Sequence, residues 1–95
     1  MLSSKISRLS QPLITRKVVG HSMHPTLQSG KIVWASPLVR PKLGSIVIAQ
    51  HEGREIIKRI ERIVGDTIHL QGDNHNDAHN ARIDRRQLLG VVISS

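Results

Sequence analysis

Two short segments of the chain carry residue types that could do chemistry together. Segment 20–27 reads Gly-His-Ser-Met-His-Pro-Thr-Leu and places Ser22 in a turn-forming context. Lys58 follows thirty-six positions later, inside the apolar segment Ile-Ile-Lys-Arg-Ile at 56–60. A serine hydroxyl becomes a nucleophile when a neighbouring base removes its proton, and a neutral lysine amine is such a base. The pair therefore predicts a serine hydrolase with Ser22 as nucleophile and Lys58 as general base.

The surroundings of Lys58 decide whether it can be a base. Free lysine has a pKa of about 10.4, and loss of solvation must lower that pKa before the amine is neutral at working pH. As a strand, segment 55–64 places Ile56, Lys58, Ile60 and Val64 on one apolar face. As a helix, the same segment would place Lys58 on its polar side. The β-branched content and the Gly65-Asp66 turn that follows favour the strand.

Ser22 lies within a longer string that resembles a known family. Segment 22–27, the Lys58-Arg59 pair, and the Gly-Asp and Gly-Asp-Asn motifs at 65–66 and 72–74 resemble the type I signal peptidase family of serine proteases, from about residue 18 to residue 92. The resemblance implies a Ser/Lys dyad and requires no cofactor and no metal. Gly20 would let the backbone approach a substrate carbonyl, and the Ser22 amide is a plausible oxyanion donor beside it.

The resemblance also implies how a substrate binds. In that family, substrate lies extended beside the strands that carry the two catalytic residues, and backbone amides supply strand-like hydrogen bonds. The walls of such a groove would be Val18, Val19, Ile56 and Ile57. The expected activity is removal of an N-terminal signal or propeptide from a precursor protein. The chain resembles a short, soluble branch of this family, whose members resemble the maturation proteases associated with nickel-type superoxide dismutase.

The loop at 72–82 departs from the family pattern. At Ala78 the family carries a serine that orients the lysine, and Asn80-Ala81 stands where the family has Asp-Ser. Without that serine, Lys58 would be oriented by water or backbone. The departure leaves an alternative from another class, a non-catalytic β-domain that binds a peptide or partner through the same groove.

Composition bounds the fold and the setting. Ninety-five residues make one small domain, and its core must come from Val, Ile and Leu because Phe, Tyr and Cys are absent. We expect a flexible basic tail over residues 1–14 and a catalytic β-domain over 15–95. No run reaches the ~18 apolar residues that cross a bilayer. We therefore expect a cytoplasmic protein, or one peripheral to the membrane that contacts anionic lipid.

Strand-like runs separated by turn signals predict an all-β, compact, single-domain barrel-like fold, and the family resemblance implies that it is of the signal peptidase and LexA type. The predicted strands are Arg16–Val19, Ile32–Ala35, Ser45–Gln50, Arg54–Val64, Thr67–Gln71 and Leu88–Ser94.

The net charge of +7 raises the question of whether the protein binds nucleic acid. Basic residues are interleaved with acidic and apolar ones, and a single aromatic residue is available for stacking, so the pattern argues against nucleic-acid binding. LexA-type repressors share a Ser/Lys dyad but carry a separate DNA-binding domain, for which this chain has no room.

The histidines suggest two weaker alternatives. His75 and His79, with Asp73 and Asp77 nearby, have side chains that could hold a transition metal, although a solvated polar loop explains them more simply. A Ser/His/Asp triad could use Ser22 with His51 or His69, but neither histidine lies in a recognisable triad motif.

Overall fold

The computed structural model describes residues 13–76 and 79–95 and is built from β-strands. The strands are β1 (Ile14–Lys17), β2 (Ile32–Ser36), β3 (Ile46–His51), β4 (Arg54–Val64), β5 (Thr67–Gln71), β6 (Ala81–Asp84) and β7 (Leu88–Ser94), with a 3₁₀ turn at Arg85–Gln87. Within these described ranges, no helix has the length and apolar character that crossing a bilayer requires.

The seven strands form one sheet in the order β1-β2-β7-β3-β4-β5-β6, and every adjacent pair is antiparallel. The predicted all-β class is therefore confirmed. Val and Ile dominate these strands because their branched side chains pack well on a pleated surface. In a chain without Phe or Tyr, they also supply most of the apolar volume.

β3 lies near the middle of the sheet and is buried on both of its faces. Val47 and Ala49 belong to one apolar cluster and Ile48 belongs to another, because successive side chains of a strand point to opposite faces. The first cluster also contains Ile60, Ile68, Leu70, Ala81, Ile83 and Val91, and the second contains Val18, Met23, Leu27, Val33 and Ala35. The second cluster matters most for function, because it anchors the segment that carries Ser22.

The β3–β4 hairpin has a two-residue turn at Glu52 and Gly53, between the paired residues His51 and Arg54. Both turn residues have positive φ, 52° and 78°, as a type I′ hairpin turn requires. This tight turn fixes the register in which Val47 lies opposite Lys58.

A β-bulge in β4 corrects one sequence-based expectation. Ile60 pairs with Leu70 and Arg62 pairs with His69, so Glu61 is an extra residue in β4. An extra residue shifts every later side chain of the strand to the opposite face of the sheet. Val64 is consequently 51% exposed and does not share the face of Lys58, whereas Ile63 packs against the first cluster.

The predicted strand positions agree closely with the structure. The bounds of β4, β5 and β7 are as predicted, and β2 and β3 each differ at their ends by one residue. β6 was not predicted, because four residues with two charges give a weak alternation signal. β1 begins at Ile14 and ends at Lys17, earlier than predicted, and the expected tail lies outside the described residues except for Leu13 and Ile14.

The bulge generates a stability prediction for two neighbouring residues. Ile63→Ala should lower the free energy of unfolding by about 1–3 kcal/mol, because it removes packing from the first cluster. Val64→Ala is the matched control and should change it by less than about 0.5 kcal/mol, since Val64 faces solvent. Urea unfolding followed by circular dichroism measures both. Equal losses, or a larger loss at Val64, would contradict the bulged register.

Candidate active site

A cavity of about 690 Å³ lies between β4 and the chain that continues from β1. All seven residues that the sequence assigns to the site line this cavity: Val18, Val19, Gly20, Ser22, Ile56, Ile57 and Lys58. The structure therefore brings together two motifs that are thirty-six positions apart in the sequence.

The cavity exists because β4 is longer than its neighbour β5. The β4–β5 pairing covers β4 from Arg59 to Val64, and no strand in the described part of the chain pairs with 54–57 on that side. The opposite wall continues from β1, which lies at the end of the sheet and, among the described strands, pairs with β2 alone. The edge of β4 at 54–57 therefore faces the cleft without a strand partner among the described residues, and such an edge accepts an added strand.

Lys58 lies on the strand that the sequence favoured, not on a helix. Lys58 as a whole is only 7% exposed, and Val47 lies directly opposite on β3. Two positions further along β4, Ile60 is 2% exposed on the same face. Burial among apolar side chains disfavours the charged form of an amine.

Ser22 is half-buried and is followed by a core residue. Met23 is 2% exposed and packs in the second apolar cluster, so the chain is fixed directly after the serine. Gly20 has a φ of 89°, a conformation that favours glycine, and a Cβ there would meet nothing within 4 Å. Gly20 is therefore required by its backbone conformation, and the space above it is open.

The loop at 72–74 holds the Ser22 segment from the other side. A Cβ added to Gly72 would lie 2.5 Å from the Ser22 carbonyl oxygen, so this position tolerates no side chain. The Asn74 amide N–H donates to the Ser22 carbonyl at 2.9 Å, and Asn74 Nδ2 donates to the His21 carbonyl at 2.9 Å. These contacts fix the backbone on both sides of the serine Cα.

Asp73 joins the Ser22 segment to β4 through its carboxylate. Arg59 donates from Nε and Nη2 to the two carboxylate oxygens at 2.8 and 2.7 Å, and Thr26 Oγ1 donates to Oδ2 at 2.6 Å. The hydrogen bonds from Arg59 lower the pKa of Asp73, and the bond from Thr26 lowers it further. Arg59 also donates from Nη1 to the Gly44 carbonyl at 2.8 Å. The Asp73 carboxylate thus connects the strand that carries Lys58, through Arg59, with the segment that carries Ser22, through Thr26.

Sequence reasoning missed several residues that line the cleft. Arg16 and Glu55 pair across it although they are thirty-nine positions apart, a separation that gives no sequence signal. His79, Asn80 and Ala81 line it from the loop before β6. The motif at 72–74 was noticed, but its packing against Ser22 was not foreseen. Ala78, where the family carries a lysine-orienting serine, lies outside the described residues.

The histidine alternatives gain little from the structure. His69 does not line the cleft. His51 does line it, but at the β3–β4 turn, where it pairs with Arg54, four residues before Lys58 on β4. Among residues 13–76 and 79–95, no group of three His, Cys, Asp or Glu residues is placed to hold a metal ion. Asp77, one of the ligands considered from the sequence, lies outside those ranges.

Comparison with known proteins identifies the family. The family model described as Peptidase S24-like matches residues 1–93. The chain belongs to this family. It is also 37% identical over 59 residues to signal peptidase I of Streptococcus pneumoniae serotype 4 (strain TIGR4) and, with the same figures, to that of Streptococcus pneumoniae strain R6. The predicted resemblance to signal peptidases is confirmed.

The two alignments cover 60% of this chain and 29% of each relative, so the chain matches less than a third of their length. No solved structure matches the chain significantly. Membership of a peptidase family supports a peptidase-like function for the chain.

The Asp73 contacts generate a prediction about stability and pH. Asp73→Asn should lower the free energy of unfolding at neutral pH by about 1–3 kcal/mol, because it removes charge-assisted hydrogen bonds. The folded-state pKa of Asp73 is lowered, so its stabilising effect is full above the unfolded value of about 3.9 and is lost as pH falls through the folded pKa. The difference in free energy of unfolding between wild type and Asp73→Asn should therefore become smaller as the pH is lowered into the acid range.

Urea unfolding at a series of pH values measures this difference. Asp66→Asn is the control, because Asp66 is 86% exposed and lies 3.8 Å from Arg85. A difference for Asp73→Asn that stays constant down to the acid limit would show that the carboxylate charge contributes nothing.

Proposed function

We propose that the chain is a serine endopeptidase that removes an N-terminal signal or propeptide from a precursor protein with Ser22 and Lys58. One observation carries the proposal: a serine with a fixed backbone and a buried lysine line one cleft, and one wall of that cleft is a strand edge that no described strand pairs with. Membership of the Peptidase S24-like family supports the same class of reaction.

An extended substrate would lie between the edge of β4 at 54–57 and the chain at 18–20. Backbone groups of the β4 edge would bond the substrate as an added strand. Val18, Val19, Ile56 and Ile57 would contact its side chains, and we expect these to be small, as the resemblance to the signal peptidase family implies. This arrangement would present a substrate carbonyl to Ser22.

In the first half of the reaction, the neutral Lys58 amine accepts the proton of the Ser22 hydroxyl while Oγ attacks the scissile carbonyl. The amides of Ser22 and Gly20 are the proposed donors to the developing oxyanion. As the tetrahedral intermediate collapses, the carbon–nitrogen bond breaks. The Lys58 ammonium then returns the proton to the leaving amine, which departs and leaves an ester on Ser22.

In the second half, water attacks the ester and Lys58 accepts its proton. Collapse breaks the bond to Oγ, and the proton passes back to Ser22. The enzyme is regenerated with one water consumed. The low exposure of Lys58 supports this role, since a solvated lysine would remain protonated. Contact with anionic membrane remains a prediction, supported by the net charge of +7.

The nucleophile assignment is tested by removing one hydroxyl. Ser22→Ala should reduce cleavage of precursor peptides containing Ala-x-Ala by at least about a thousandfold, because no other group in the proposed mechanism attacks the carbonyl. The melting temperature should stay near that of wild type, because the Met23 and Asn74 contacts that hold the segment do not involve the hydroxyl. Ser29→Ala, at an exposed turn, is the control and should cleave normally. Turnover by Ser22→Ala at the wild-type rate would remove Ser22 from the mechanism.

The base is tested by a pH–rate profile. Wild-type cleavage should rise with pH along one limb, because only the neutral amine accepts the serine proton. Lys58→Arg should be inactive across that range, since a guanidinium stays protonated, and Lys58→Ala should be inactive but folded. Lys31→Arg, at an exposed position, is the control. Substantial cleavage by Lys58→Arg would reject lysine as the base. Peptide binding without cleavage by any form would favour the non-catalytic binding domain.

A further inference from the structure

The cleft has two chemically different parts. The part beside Ser22 and Lys58 combines aliphatic with polar side chains, whereas the part beside the β3–β4 turn is lined by charged and polar ones alone. The side chains of this second part are Arg16, Lys17, His51, Glu52, Arg54 and Glu55. The proposed reaction uses none of them.

Arg16 and Glu55 connect the two walls of the cleft. Arg16 belongs to β1 and Glu55 to β4, and three strands separate β1 from β4 in the sheet. Arg16 nevertheless donates from Nε to Oε1 at 2.6 Å and from Nη2 to Oε2 at 3.1 Å. The pair therefore crosses the open space between the walls, and we call it the Arg16–Glu55 strap.

The guanidinium of the strap is held in place by a third contact. Arg16 Nη1 donates to the Thr15 carbonyl at 2.8 Å, so the side chain is anchored to its own strand while it reaches across. The two hydrogen bonds from Arg16 lower the pKa of Glu55, and the carboxylate stays charged at working pH. Both side chains remain partly exposed, at 43% and 33%, so an entering peptide meets them at the surface of the cleft.

The position of the strap follows from strand geometry. Glu55 precedes Lys58 by three residues, and a strand rises about 3.3 Å per residue, so the strap lies roughly 10 Å from the level of Lys58. A substrate paired with β4 advances by the same rise. Its third residue from the scissile bond would therefore reach the strap.

We propose that the Arg16–Glu55 strap is a specificity-determining element that ends the substrate cleft about three residues from the scissile bond. This inference rests on the proposed function. A substrate segment that extends further than these three residues must leave the cleft at the strap or break both hydrogen bonds between Arg16 and Glu55. An ion pair with this much exposure stabilises a fold only weakly, so its removal should open the cleft without unfolding the protein.

The test uses fluorescein-labelled peptides with an Ala-Val-Ala-Ala core, extended by one to six neutral Ser or Gly residues. One series is extended on the amino side and another on the carboxyl side. The strap variants are Glu55→Gln, Arg16→Gln and the charge-swapped Arg16→Glu/Glu55→Arg. Arg86→Gln is the matched control, because it removes an exposed ion pair with Asp84, 3.0 Å long, away from the cleft. Circular dichroism confirms that each variant folds.

In wild type, the rise of kcat/KM with peptide length should stop at about the third residue on one side. In Glu55→Gln and Arg16→Gln, kcat/KM should keep rising on that side and reach a several-fold gain for the longest peptides. The charge-swapped variant should restore the limit, and Arg86→Gln should retain it. An unchanged limit in the strap variants would overturn the proposal, as would a gain on both sides or in the control.

The affinities of the same peptides are measured with each variant in a Ser22→Ala background, by fluorescence anisotropy. This readout separates the strap from the peptidase. If the protein with Ser22 intact cleaves none of the peptides, but a length limit on binding disappears with the strap in the Ser22→Ala background, the strap is retained and the peptidase is rejected. Cleavage with identical length profiles in all variants would reject the strap alone. Failure to bind any of the peptides would overturn both.

Discussion

The packing of the loop at 72–74 against the backbone of Ser22 is the constraint on which the site depends. Gly72 leaves no space for a side chain beside the Ser22 carbonyl, and the Asn74 amide donates to the same oxygen. On the other side, Met23 is fixed in the apolar core. A serine in a turn would ordinarily sample several backbone positions. Here both flanks are held, so the hydroxyl faces one cleft, as preorganised attack requires.

The second requirement is a strand that carries a buried lysine along an open edge. β4 provides it because β5 pairs only with the residues after Lys58. The Glu61 bulge lies two residues after this pairing begins at Arg59. It moves the side chains of the later β4 residues to the opposite face of the sheet. Arg59, next to Lys58, binds Asp73 and so connects β4 to the loop that holds the serine. Burial of the amine and alignment of the two segments therefore come from adjacent positions on one strand.

Sequence patterns predicted most of the strands, and the residues proposed for the site do line one cleft. β4 was predictable because it is rich in β-branched residues and the Gly65-Asp66 turn ends it, and β5 because a second strand-like run follows that turn. The Glu61 bulge was not, since it depends on which residues of two strands pair. Contacts between distant residues, such as Arg16 with Glu55, follow from the folded path and leave no local pattern. The motif at 72–74 was visible, but its steric role appears only when Gly72 lies against Ser22.

The central claim is that Ser22 attacks the substrate and forms an ester with it. Mass spectrometry after rapid acid quenching tests this with a peptide p-nitrophenyl ester, whose leaving group makes acylation fast. The claim predicts an added mass equal to the acyl part of the peptide, located on Ser22 and absent when Lys58 is replaced by Arg. Hydrolysis of the peptide with no adduct on Ser22, or with an adduct on another residue, would contradict it.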